Sequence, residues 1–144
     1  MIPPGKMRQV RQNIEAFGQH LFQVFGDAET SGFTYTIGNA EHGLPELLMI
    51  GDFPPHISAA LLNDLGAKMR EDGRPLPQGL VDIGWSVPVK IRIAGPAARS
   101  RFTIQAGQYF GHDTYGVLQV MVCDPKGHFP GEDGCDPRYD VERP

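Results

Sequence analysis

Cysteine is scarce in this sequence, and the scarcity excludes two architectures. Cys123 and Cys135 are the only two in 144 residues, too few for a disulfide scaffold and, without a second closely spaced pair, no zinc signature. Both read as reduced thiols. Positive charge is in deficit as well: 13 Lys and Arg against 17 Asp and Glu leave a formal charge of -4, with no clustered basic face to displace counterions from a phosphate backbone. Nucleic acid is therefore not an expected partner. Long apolar runs are missing, the longest falling far short of the roughly 20 residues that cross a bilayer. The opening MIPPGKMRQVRQ has no apolar core of the kind a signal peptide carries, so no membrane association is expected and the cytoplasm is the expected compartment. No G-x-S-x-G elbow, P-loop or G-x-G-x-x-G occurs, which removes the hydrolase nucleophile and the usual nucleotide fingerprints. No metal and no cofactor is assigned.

What is plentiful is glycine and proline, 18 and 13 residues, which predicts many turns in an otherwise ordinary globular composition. The length suits one domain over 1–144, with 1–5 and about 138–144 expected as flexible ends. Met7, Val10, Ile14 and Phe17 recur three and four apart, predicting a helix over Lys6 to Gly18. His20 to Phe25 and Phe33 to Ile37 flank the turn-forming GDAETSG and predict an antiparallel hairpin. In its second strand Phe33, Tyr35 and Ile37 share one face and Thr34 and Thr36 the other. Glu46 to Ile50 predicts an interior strand, and Ile57, Leu61, Leu65 and Met69 a helix begun by Pro54 and Pro55. REDGRPLPQG is expected to be a loop. Val87 to Ile93 alternates as a strand that Pro88 places at an edge or at its own beginning. Pro96 to Tyr109 predicts a third helix, Val117 to Cys123 a buried strand, and everything from Asp124 an irregular surface segment. The expected fold is α+β, a mainly antiparallel sheet with about three helices packed on it.

The densest polar cluster lies in FTYTIGNAEHGLPEL, which carries Tyr35, Thr36, Gly38, Asn39, His42 and Glu46. A turn between two strands is where a rigid scaffold displays side chains, and its two glycines let backbone turn sharply or approach a ligand. His42 and Glu46 are candidates for a general acid and base or for metal ligands, because imidazole and carboxylate both titrate or coordinate usefully near neutrality. Their spacing of four has meaning only on a helix, and Pro45 argues against one. A third metal ligand would have to come from His112, Asp113 or His128. Gln119 interrupts an apolar strand, so its amide either faces the same cavity as Thr36 or bonds a neighbouring loop.

Taken in order, FTYTIG, HGLPELLMIGDFPP, LLNDLGAKM and VLQVMVCDPKGHFP resemble the bacterial family catalogued as domain of unknown function 4262, over roughly Phe17 to Arg138. Mapped onto this chain, the resemblance implies recurring positions at Tyr35, Thr36, Gly38, His42, Pro45, Glu46, Gln119, Asp124, Gly127 and Pro130. The expected function is binding, without catalysis, of a small molecule or a protein partner in a pocket formed by the Thr36 to Glu46 turn, Gln119 and the Asp124 to Pro130 loop, Phe129 included. An enzyme using His42 and Glu46, hydrolase-like and with or without a metal, is a second reading. A flavin-binding small barrel, suggested by the strand-rich first half, is a third. A homodimer is allowed through pairing of the Val87 to Ile93 edge.

Overall fold

Alternating and four-residue spacings are realised close to where the sequence places them, in a computed structural model that describes residues 2–144. Helix α1 spans Pro4–Phe17, with proline in its first turn, where a missing N–H costs nothing, and Gly18 at φ 89° closing its end. Strands β1 (His20–Val24), β2 (Phe33–Ile37) and β3 (Glu46–Ile50) follow, with one 3-10 turn over Asn39–His42 between the last two. Helix α2 covers Pro55–Asp72. Strands β4 (Gly79–Val81) and β5 (Val89–Ile93), short helices α3 (Ala97–Arg101) and α4 (Ile104–Phe110), and strand β6 (Val117–Met121) complete the order.

The six strands form one sheet in the order β1-β2-β3-β6-β5-β4. Each half is an antiparallel meander, and the halves meet where β3 runs parallel to β6, with Glu46 opposite Val117 and Leu48 opposite Gln119. Alternation along β3 splits the core in two. Leu47 and Met49 face α2, packing with its Leu61, Leu65 and Met69, while Leu48 and Ile50 join Tyr35, Ile37 and residues of α1, α3 and α4. This is the expected α+β architecture, with one parallel pair and four helices.

Several expectations need correction. The predicted third helix is two helices, broken at Thr103, whose hydroxyl and carbonyl both engage the Tyr115 hydroxyl at 2.7 and 2.9 Å. REDGRPLPQG is not all loop: α2 runs on through Arg70 to Asp72 and stops at Gly73. Of the stretch expected as a flexible start, Ile2 is buried and α1 begins at Pro4; Met1 lies outside the described residues. At the other end, Pro144 accepts bonds from Arg92 (2.7 Å) and Gly95 (3.1 Å), and the Glu142 carbonyl accepts one from Gln119 (2.8 Å). Pro88 precedes β5 as anticipated, but β5 is interior because β4, too short to show periodicity, pairs with it. Pairing of two copies along β5 is thus blocked by β4. The sheet is open, with β1 and β4 as its edges and helices on both faces, so the small barrel on which a flavin reading rested is absent. Among the described residues no helix is long and apolar enough to cross a membrane.

Candidate functional site

Glu46 opens β3 at the end of the sheet, and its fully buried carboxylate organises the turn before it. Three successive backbone N–H groups donate to it, Gly38 to Oε2 (3.0 Å), Asn39 to Oε1 (3.2 Å) and Ala40 to Oε2 (2.9 Å), and the Thr36 hydroxyl donates to Oε1 at 2.7 Å. Gly38 is required here: its φ is 132°, and a Cβ would stand 2.9 Å from the Gly18 carbonyl oxygen. Thr36 Oγ1 in turn accepts from the Leu47 N–H (2.9 Å) and Asn39 Nδ2 (3.2 Å). Asn39 Oδ1 accepts from Arg70 Nη1 at 2.6 Å, and Gln19 Oε1 accepts from both Asn39 Nδ2 (3.0 Å) and Arg70 Nη1 (2.8 Å). The Gln19 amide then donates to the Leu62 carbonyl and to Asn63, 3.1 Å each. The cluster closes on itself and ties the turn to α2.

Burial pushes the Glu46 carboxyl up to about 7, against the pull of its four donors, which favour the carboxylate. Burial also lowers Arg70, while Glu46 acts in the opposite sense. These groups have little capacity left for a ligand. His42 ends the 3-10 turn exposed to solvent, and no hydrogen bond joins it to Glu46. The acid–base pair considered from sequence is therefore not assembled, for the reason Pro45 suggested. Among the described residues no three His, Cys, Asp or Glu side chains are grouped to hold a metal ion.

The remaining residues singled out from sequence lie elsewhere. Tyr35 projects from the other face of β2, ring stacked between Phe22 and Phe33 (centroids 5.7 and 6.1 Å) and hydroxyl bonded to Gln105. Gln119 shares that face with Val117, away from Thr36, and is consumed by Arg92 (3.0 Å) and the Glu142 carbonyl. Asp124 lies beyond the far end of β6, where its carboxylate accepts from the backbone N–H groups of Lys126 (2.9 Å), His128 (2.9 Å) and Asp136 (2.8 Å). Phe129 is buried in that loop beneath Lys90. The single pocket drawn from sequence is thus three places, two of them at opposite ends of the sheet.

What the Glu46 turn does border is a cleft of about 610 Å³. It opens where β3 and β6 begin and β5 ends. One wall is the Ala40–Pro45 turn, the other the segment from Phe110 to Leu118, with Ile93 and Pro75 at the rim. Three rings stand together on the second wall: Phe110 and His112 nearly parallel (5.9 Å, 24°), and Tyr115 tilted to both at 5.5 and 6.3 Å. His112 Nδ1 accepts from the Thr114 N–H (3.2 Å) and lies 2.9 Å from its hydroxyl, an arrangement that leaves the ring proton on Nε2. Glu46 N–H donates to the Gly116 carbonyl at 2.9 Å, stitching the two walls together.

A family model for the domain of unknown function 4262 matches residues 13–136. The chain belongs to this family. The span matched takes in the whole Glu46 cluster, both walls of the cleft and the Asp124 loop. No curated protein and no solved structure matches the chain. Of the cleft-lining rings of this family member, His112 is weighed in the sequence only as a metal ligand, and Phe110 and Tyr115 are not singled out there, although YFGHDTY packs all three into seven positions just before a buried strand. Arg70 was missed because it was assigned to a loop.

Proposed function

We propose that this member of the domain of unknown function 4262 family is a binding domain for a small molecule, without catalysis of its own, and that its site is the cleft between the Ala40–Pro45 turn and the Phe110–Leu118 segment. One observation carries the reading: a preformed cleft of about 610 Å³, lined mainly by Leu44, Pro45, Ile93, Phe110, Tyr115 and Leu118, has the size and chemistry of a ligand pocket, apolar walls with few polar groups. The Glu46 cluster serves this site from behind by fixing one wall. The cytoplasm is the compartment this reading assumes; Cys123 and Cys135 are both unbonded thiols, the state that compartment maintains.

The test is a fragment screen followed by 13C-detected NMR of the methyl and aromatic groups. Binders should move the signals of Ile93, Leu118 and Tyr115 together, and Ile93→Trp, a change at an exposed rim residue, should abolish those shifts while leaving the fold intact. Fragments that consistently move other regions, or whose shifts survive Ile93→Trp, would overturn the assignment.

A further inference from the structure

The chemistry of the cleft walls narrows the class of ligand. Among the described residues that line the cleft, Glu41 alone carries a carboxylate and none is a lysine or arginine. Burial is what chiefly raises the Tyr115 and Tyr109 hydroxyls; Glu46 and Asp113 add to it at Tyr115 against Thr103 and Arg99, and Glu41 adds to it at Tyr109 against Arg11. An anionic ligand would find no donor charge here. A cation would find a carboxylate and three aromatic rings.

The ring geometry fits that choice. The centroids of Phe110, His112 and Tyr115 form a triangle with sides of 5.5, 5.9 and 6.3 Å. A point about 4 Å above its centre lies about 5 Å from all three centroids, within the roughly 6 Å over which a cation and a ring attract when the ring turns its face to the charge. Apolar Leu44, Pro45, Ile93 and Leu118 surround the rest of the cavity, so a compact apolar body attached to the charge would be covered as well.

We infer that the cleft takes a small organic cation, a substituted ammonium on an apolar body, with the charge over the Phe110–His112–Tyr115 rings and facing Glu41. This rests on the cleft being the binding site, as proposed above. The test compares two probes of the same shape, 4-hydroxyphenyltrimethylammonium and 4-tert-butylphenol, which differ in having N+ or carbon at the branch point. Both are titrated by NMR into the full chain, into Glu41→Gln and into Phe110→Leu.

The ammonium probe should bind at least about fivefold tighter than the phenol. Glu41→Gln, an exposed residue whose replacement leaves the core untouched, should weaken the ammonium probe about threefold and leave the phenol unchanged. Phe110→Leu should cost the ammonium probe more than the phenol. If the phenol binds as tightly as the ammonium probe at Ile93 and Tyr115, or if Glu41→Gln leaves their ratio unchanged, the cation assignment falls and the cleft stands. If neither probe moves those signals at millimolar concentration, both fall.

Discussion

Two carboxylates in this molecule do the same job in different surroundings. Glu46 and Asp124 each accept three backbone N–H groups from a turn adjoining a strand end, and both are buried. Yet Glu46 is pushed up to about 7, and Asp124 is held down at about 2. In both, burial is the largest effect and acts upward. At Asp124 it is outweighed by the three backbone donors together with the nearby His128; at Glu46 four donors do not suffice. Asp124 lies under a single loop close to water, whereas Glu46 is enclosed at the junction of both cores. Three backbone donors at each carboxyl therefore do not by themselves fix its charge; depth, and His128 beside Asp124, make the difference.

The largest test is Glu46→Gln. Whichever position the amide takes, its NH2 faces backbone or hydroxyl donors, leaving buried N–H groups unpaired at a cost of about 2–4 kcal/mol, measured by urea denaturation. Asp124→Asn should destabilise by less, because water can reach the freed donors; an equal loss would break the contrast of depth. Next comes Gly38→Ala, which demands a left-handed φ of a residue with a Cβ and pushes that atom onto the Gly18 carbonyl. A loss of about 1–3 kcal/mol is expected, read from the same denaturation curves.

The pH dependence sharpens the contrast further. Glu46 has a folded pKa above its unfolded value, so the folded state holds the extra proton, and stability falls as pH rises from about 4.5 through about 7. Asp124 acts oppositely and much lower: its contribution is present above the ordinary aspartate range and lost as pH falls toward about 2. His20 complicates the middle. Burial, assisted by Lys6, lowers it to about 4, so its contribution is lost as pH falls from 6.5 to 4, against the Glu46 slope. Between pH 6.5 and 8 Glu46 stands alone, and there wild-type stability should fall while Glu46→Gln stays flat. The smallest effect is Tyr115→Phe, which removes the bonds to Thr103 at the back of the cleft at about 1 kcal/mol; binding of the ammonium probe should change little.

The sequence carried the parts of the fold that repeat. Strand alternation in Phe33 to Ile37, which sends Tyr35 and Ile37 to one core, and the four-residue spacing of Leu61, Leu65 and Met69 are direct images of which face packs where, and both are found where expected. What did not repeat was not legible. Gly79–Val81 is too short to show a period, and the break at Thr103 is made by Tyr115, twelve positions away. A dense polar cluster does stand between Thr36 and Glu46, but density cannot separate a pocket from a self-satisfied clamp. That distinction lies in Gln19 and Arg70, which reach Asn39 from other elements. Of the two readings of Gln119, bonding to a neighbouring loop is the one found; the sequence left both open because strand parity between β2 and β6 depends on how β3 and β6 pair, which is a tertiary fact.

The parallel seam between β3 and β6 has a kinetic consequence. Each antiparallel half can form from neighbouring stretches of chain, whereas the seam joins Glu46 to Val117 and needs the whole intervening segment to close a long loop, the slow kind of contact. The halves should gain protection from hydrogen exchange early and the seam late. Because the cleft opens at the start of both seam strands, it does not exist until that last step. A ligand held there would leave folding rates unchanged and slow the parting of the halves.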